Sequence, residues 1–192
     1  MTITRDSLMT LEAYARHRKA HKAQIIAHRR ARTVSLGEHM SVQFEDEQTI
    51  RYQIQEMLRV EKIFEEEGIQ DELDAYNPLI PDGRNLKATM LIEYEDVEER
   101  KAALAKMKGI EDRTWVRVEG CAPVYAIADE DLERENEEKT SSVHFLRFEL
   151  DDAMCSALRR GAALTVGVEH PQYRAASRLD AATRDALLAD LQ

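Results

Sequence analysis

The chain has 192 residues, 43% of them hydrophobic and 33% charged, with a net charge of −10. That length suits one domain that buries roughly 70% of its unfolded surface without disulfide or metal staples. The acidic balance argues against a nucleic-acid binder, which needs surplus cations to neutralise phosphates. Two cysteines, Cys121 and Cys155, exclude a disulfide framework and a four-cysteine zinc site. No apolar run of about 18 residues is present, so neither a membrane span nor a membrane partner is expected. The start of the chain is polar and charged rather than an apolar signal segment. The expectation is a cytoplasmic protein.

Charge divides the first third of the chain. Residues 1–34 carry a net charge of +6 and residues 45–82 a net charge of −9. Two oppositely charged helices are therefore expected to pair, within one chain or across a homodimer. Thr10 is a suitable N-cap for a helix from Leu11 to about Arg32. Period-two alternation follows, with Val34 and Leu36 and then Met40, Val42 and Phe44 on one face. Gly37 and Glu38 between the runs make a hairpin the simplest reading.

A second helix is expected from about Glu47 to Glu67, stopped by Gly68. The segment 70–85, with Pro78, Pro81 and Asp82-Gly83, reads as a surface loop. Next come a strand over Leu86–Tyr94 and a helix over Val97–Lys108. Short strands are expected over Trp115–Glu119 and Val124–Ala128. Residues 129–139 hold seven carboxylates and read as a solvated acidic excursion. A strand over Val143–Leu150, a helix over Asp151–Arg160, a strand over Leu164–Glu169 and a helix over Ala181–Leu191 complete the chain. Several connections are too short for parallel crossovers. The expected fold is α+β: a mostly antiparallel mixed sheet packed by the long N-terminal helix and several shorter ones. It forms a single domain over 1–192, with 1–34 as a basic helical arm and 35–192 as the core.

The familiar catalytic and cofactor signatures are absent. The seven glycines are scattered, leaving no dinucleotide or phosphate loop, and no His-Glu-x-x-His, Cys-x-x-Cys or Gly-x-Ser-x-Gly occurs. Nor does any glutamate stand three residues before a histidine, as the di-iron bundles require. Ser141 and Ser142 lack a base and an orienting group, and Cys155, between Met154 and Ser156, reads as a small apolar residue.

Two positions break their local pattern. On the second helix Ile50, Ile54, Met57 and Phe64 share a stripe, and Glu61 falls inside it, about 20° from Ile50. A carboxylate there must be paired, hydrogen-bonded or protonated. It is either a ligand or acid–base group in a core-side cavity, or a salt-bridge partner of Arg147 or Arg84. A further reading is that the stripe simply leaves the core near Glu61. His144 shares a strand face with Leu146, Phe148 and Leu150, as a core histidine or as a ligand near Glu61. Glu93, His170 and Arg84 are further candidates for that site. Arg84, after Pro81-Asp82-Gly83, can clamp a carboxylate or phosphate, or act as a turn residue that pairs with Asp82 or with the acidic helix. His170-Pro171-Gln172-Tyr173 is a turn signal or a pocket rim, with His170 held extended by the following proline. His17, His21 and His28 share one helical face; the readings there are a weak metal site or a solvated or partner-facing stripe.

Four stretches carry a resemblance: Leu8–Tyr14, Gln53–Arg59, Pro81–Thr89 and Val143–Phe148, together with His170-Pro171-x-Tyr173. Over nearly the whole chain they resemble a bacterial domain family of unknown function whose genes stand beside rubrerythrin-like and iron–sulfur oxidoreductase genes. The resemblance implies a role in peroxide defence or electron transfer. With two cysteines the chain cannot hold an iron–sulfur cluster itself. The leading expectation is thus a non-catalytic accessory protein, homodimeric, with a protein partner in a redox or oxidative-stress pathway. The alternative is a small-ligand or metal-binding protein, or an enzyme, built around Glu61 and His144 with Arg84, Glu93, Arg147, His170 and Tyr173 as candidate ligand residues. No cofactor is specified.

Overall fold

Thr10 caps the first helix, its hydroxyl accepting from Ala13 N–H at 3.3 Å, and α1 then runs over Leu11–Arg30. In the computed structural model, which describes residues 2–132, 134–136 and 138–191, this basic helix lies along the acidic α2 (Glu47–Glu61) of the same chain. Arg18 grips Glu56 with two 2.8 Å contacts, and His28 Nε2 stands 2.6 Å from Asp46. The charge split thus pairs helices within one chain.

Between the two helices, β1 (Thr33–Ser35) and β2 (Met40–Phe44) form the expected hairpin. Its turn needs Gly37, whose φ is +72°, and a Cβ there would meet Tyr173 Oη at 2.6 Å. Asp46 caps α2, which stops at Glu61 because Lys62 turns left-handed and Leu58 O accepts from both Lys62 and Ile63 N–H. The expected single helix to Glu67 is therefore two helices. A new one, α3 (Glu66–Tyr76), runs straight through Gly68 and occupies much of the segment read as a loop. Ile69 and Leu73, one turn apart, bury its inner face, and that burial outweighs the roughly 1 kcal/mol penalty of a helical glycine.

The remaining strands are β3 (Asn85–Ile92), β4 (Thr114–Val118), β5 (Val124–Tyr125), β6 (Ile127–Ala128), β7 (Val143–Glu149), β8 (Leu164–His170) and β9 (Tyr173–Arg178). The helices are α4 (Val97–Lys106), α5 (Asp152–Arg159) and α6 (Ala181–Leu188). The fold is α+β, and every strand pairing among the described residues is antiparallel. The single expected sheet is two, ordered β1-β2-β3-β7-β6 and β5-β4-β8-β9. The strand expected over Val124–Ala128 is shared between them: β5 pairs with β4, β6 with β7, and the chain changes sheet at Ala126. Strand β9 has no counterpart in the sequence reading, because its half-buried face is only Tyr173, Ala175 and Ser177, too weakly apolar to show alternation.

Val42, Phe44, Met90 and Phe148 of the first sheet share one core with Val116, Leu164 and Val166 of the second. Each such side chain contributes about 1.5–3 kcal/mol on burial. A smaller apolar cluster joins Ile50, Ile54 and Leu58 of α2 to Ile69 and Leu73 of α3. Arg32, at the end of the basic arm, is the largest fully buried side chain. It donates to Phe44 O, Glu45 O and Ala186 O and forms an ion pair with Asp190, fastening α6 to the first sheet.

Candidate functional site

The period of β7 settles the first member of the site. Leu146 and Phe148 enter the core, so His144 does as well, and its ring is completely buried. Opposite Met90 in the β3 ladder, it stands where the two sheets approach each other. Nδ1 lies 2.6 Å from Asp129 Oδ2, and Nε2 lies 3.0 Å from Thr140 Oγ1 and 3.1 Å from Ser141 O.

Asp129 follows β6 directly and holds a φ of +50°, a conformation Asp and Asn adopt more readily than other residues with side chains. Its N–H donates to Phe145 O at 2.9 Å, and its Oδ1 accepts from Phe145 N–H at 2.9 Å and from Arg134 at 3.2 Å. With Oδ1 so engaged, Oδ2 is left for His144. The Arg134 guanidinium lies 4.5 Å from the centre of the Phe145 ring and fixes the excursion after β6 against β7.

Glu111 is the third member. It opens a one-turn 3-10 helix, Glu111–Arg113, placed between α4 and β4 after Gly109. The residue is buried, its Oε2 is 3.9 Å from His144 Nε2, and no hydrogen-bond partner reaches that oxygen among the described residues. An unpaired buried acceptor of this kind is costly. Burial raises the Glu111 carboxyl above the usual range, its own amide and His144 pull it back, and Glu135 and Asp112 add to the rise. Burial opposes charge on His144, yet Asp129, Glu111 and the Ser141 carbonyl together raise its pKa. Without an added ligand, both ring nitrogens face acceptors, the arrangement of an imidazolium. Once Nε2 gives up its proton, one nitrogen and several oxygens converge from three separate segments, a donor set suited to a divalent cation.

The residues singled out from the sequence do not gather around His144. Glu61 is exposed at the last position of α2, which corrects the expectation of a core-side carboxylate. The helix ends there, and Phe64, which would have continued the stripe, lies beyond it and is 69% exposed. Arg84 is also solvent-facing and pairs with Asp152 at 3.1 Å, at the opposite end of β3 from Met90. Glu93 is exposed; its backbone, not its carboxylate, holds His39. Arg147 points to the other face of β7 and pairs with Glu130 and Glu149. There it lines a crevice of about 260 Å³ with Leu79, Lys87 and Phe145.

His170 and Tyr173 act as clasps. They face each other across the tight β8–β9 turn. His170 accepts from Gln172 N–H at Nδ1 and donates from Nε2 to Lys108 O. Tyr173 donates to Leu36 O at 2.6 Å and accepts from His39 N–H, tying the first hairpin to the second sheet. On α1, His21 packs edge-on between Tyr14 and Tyr52, His28 pairs with Asp46 and His17 is exposed, so the three do not converge.

Asp129 belongs to the stretch read as a solvated excursion, and Glu111 lies in a turn too short to show periodicity. Glu133 and Glu137 of that excursion lie outside the described residues.

A search of curated proteins finds no match to the chain. Among solved structures it is similar to a novel protein of unknown function from Burkholderia pseudomallei, with 61% identity over 100% of both chains and a TM-score of 0.95. A family described as Protein of unknown function (DUF3501) matches residues 2–191, and the chain belongs to it.

Proposed function

We propose that this protein binds a divalent metal ion through Glu111 and His144. Glu111 Oε2 and His144 Nε2 are the anchoring donors, and Thr140 Oγ1 and Ser141 O flank the same nitrogen. The mixed nitrogen and oxygen set favours manganese, iron(II), cobalt or zinc over metals that need thiolates. The observation carrying this reading is the buried Glu111 oxygen, unpartnered among the described residues and 3.9 Å from an imidazole nitrogen. Ser141 Oγ accepts from Val143 N–H rather than meeting a base, so binding rather than nucleophilic chemistry is the role assigned. Element analysis of tag-free protein after dialysis against Co²⁺ tests it. About one ion per chain is expected, with Glu111→Gln at least about tenfold weaker and folded by circular dichroism. Sub-stoichiometric metal in the parent protein would refute it.

A second reading is the accessory role in a redox or oxidative-stress pathway, in the cytoplasm, as a homodimer or with a protein partner. Val60 and Phe64, 55% and 69% exposed, support it, Phe64 bordering a hollow of about 180 Å³ with Met9 and Leu11. Light scattering that finds a dimer dissociated by Phe64→Glu supports this reading. A monomer at every concentration, with no capture of a redox partner at low salt, counts against it.

A further inference from the structure

We propose that Asp129 is the positioning residue of this metal site and stays outside the coordination shell. It holds the Nδ1 proton of His144 so that the Nε2 lone pair is presented to the cation shared with Glu111. The inference deepens the metal-binding reading and depends on it.

Three observations assign the role. Asp129 Oδ2 is 2.6 Å from Nδ1, a short charge-assisted hydrogen bond that occupies this oxygen. Oδ1 is spoken for by Phe145 N–H and by the Arg134 guanidinium, and a cation beside that guanidinium would be repelled. An Asp129 oxygen lies within 4.8 Å of a Glu111 oxygen and a His144 nitrogen, so its engaged lone pairs, not its distance, set it apart. Glu111 differs in that its Oε2 is unpartnered among the described residues and stands 3.9 Å from Nε2. A carboxylate behind a metal-bound histidine commonly fixes ring orientation and tautomer. The left-handed backbone at Asp129 is a local cost maintained where its carboxylate is needed.

This arrangement gives the obvious variant an unusual consequence. In Asp129→Asn the two donors, Phe145 N–H and Arg134, still demand an acceptor at the Oδ1 position. The amide oxygen goes there, and the NH₂ group is left facing His144 Nδ1. A donor at that point makes Nδ1 the acceptor and moves the ring proton to Nε2, where the cation must bind. Asp129→Ala imposes no such tautomer, although alanine tolerates the positive φ less well than asparagine.

The test is Zn²⁺ titration of the parent protein, Asp129→Asn and Asp129→Ala, with long-range ¹⁵N NMR of the histidine rings in the parent. We expect Nε2 of His144 to be metal-bound with the proton on Nδ1, about a 10- to 100-fold loss of affinity in Asp129→Asn, and a smaller loss in Asp129→Ala. Metal on Nδ1, or an alanine loss equal to or greater than the asparagine loss, would overturn the positioning role while leaving metal binding standing. Absence of Zn²⁺ binding by the parent protein would instead remove the metal reading and this inference with it. Should Asp129→Asn fail to fold, the NMR assignment on the parent still decides which nitrogen is ligated.

Discussion

Arg18 holds Glu56 in a fork, Nε to Oε1 and Nη2 to Oε2, both at 2.8 Å, and so joins α1 to α2. Tyr14 Oη donates to the same carboxylate at 2.7 Å, and Arg59 reaches it at 3.3 Å. The Arg18 hydrogen bonds, aided by Tyr14 and Arg59, hold the Glu56 carboxyl down to about 2. A depressed folded value means that the contribution is present above the ordinary 4.5 and is lost as pH falls toward 2. Solvent reaches the pair, so Glu56→Gln is expected to cost about 1 kcal/mol near neutrality. Urea unfolding as a function of pH should show that difference shrink below about pH 4.5.

The opposite sign applies to Asp190. Burial pushes the Asp190 carboxyl up to about 6, against the pull of Arg32 and His28 and with a further push from Asp46. A raised folded value gives a contribution that is full below the ordinary 3.8 and lost as pH rises through about 6. Asp190→Asn cannot ionise, so its stability relative to the parent should improve between about pH 4 and pH 7. The expected change is of the order of 2 kcal/mol, measured by chemical denaturation at each pH. A constant difference across that window would contradict the account of the Arg32 latch.

Gly167 offers a sharper steric test. The ring of Trp115, the chain's single tryptophan, lies where a Cβ at position 167 would stand. The two residues are register partners in β4 and β8. Gly167→Ala should destabilise the protein by about 1–3 kcal/mol and shift the tryptophan emission, as the ring is displaced from the sheet.

These elements also show what a sequence can and cannot reveal. His144 was legible because a strand's period of two forces it inward with Leu146 and Phe148. The hairpin and the capped α1 were legible for similarly local reasons. The second half of the acidic stretch was misread because Gly68, Pro78 and Pro81 suggested a loop. Ile69, Leu73 and Tyr76 already carried helical spacing there. Glu111 and Asp129 had no such signal. Each lies in a segment of a few residues; the pairing of β6 with β7 brings Asp129 to His144, and the turn before β4 brings Glu111. Glu61 failed for a related reason, since the helical wheel extended beyond the point where Lys62 ends the helix.

The central claim is that a cation sits between Glu111 Oε2 and His144 Nε2. Anomalous scattering from a crystal soaked in Zn²⁺, recorded on both sides of the zinc absorption edge, tests it most directly. The account expects one strong peak about 2 Å from each of those atoms, with neither Asp129 oxygen within coordination distance of it. A map with no peak there, and an ordered water or nothing beside Glu111, would contradict it.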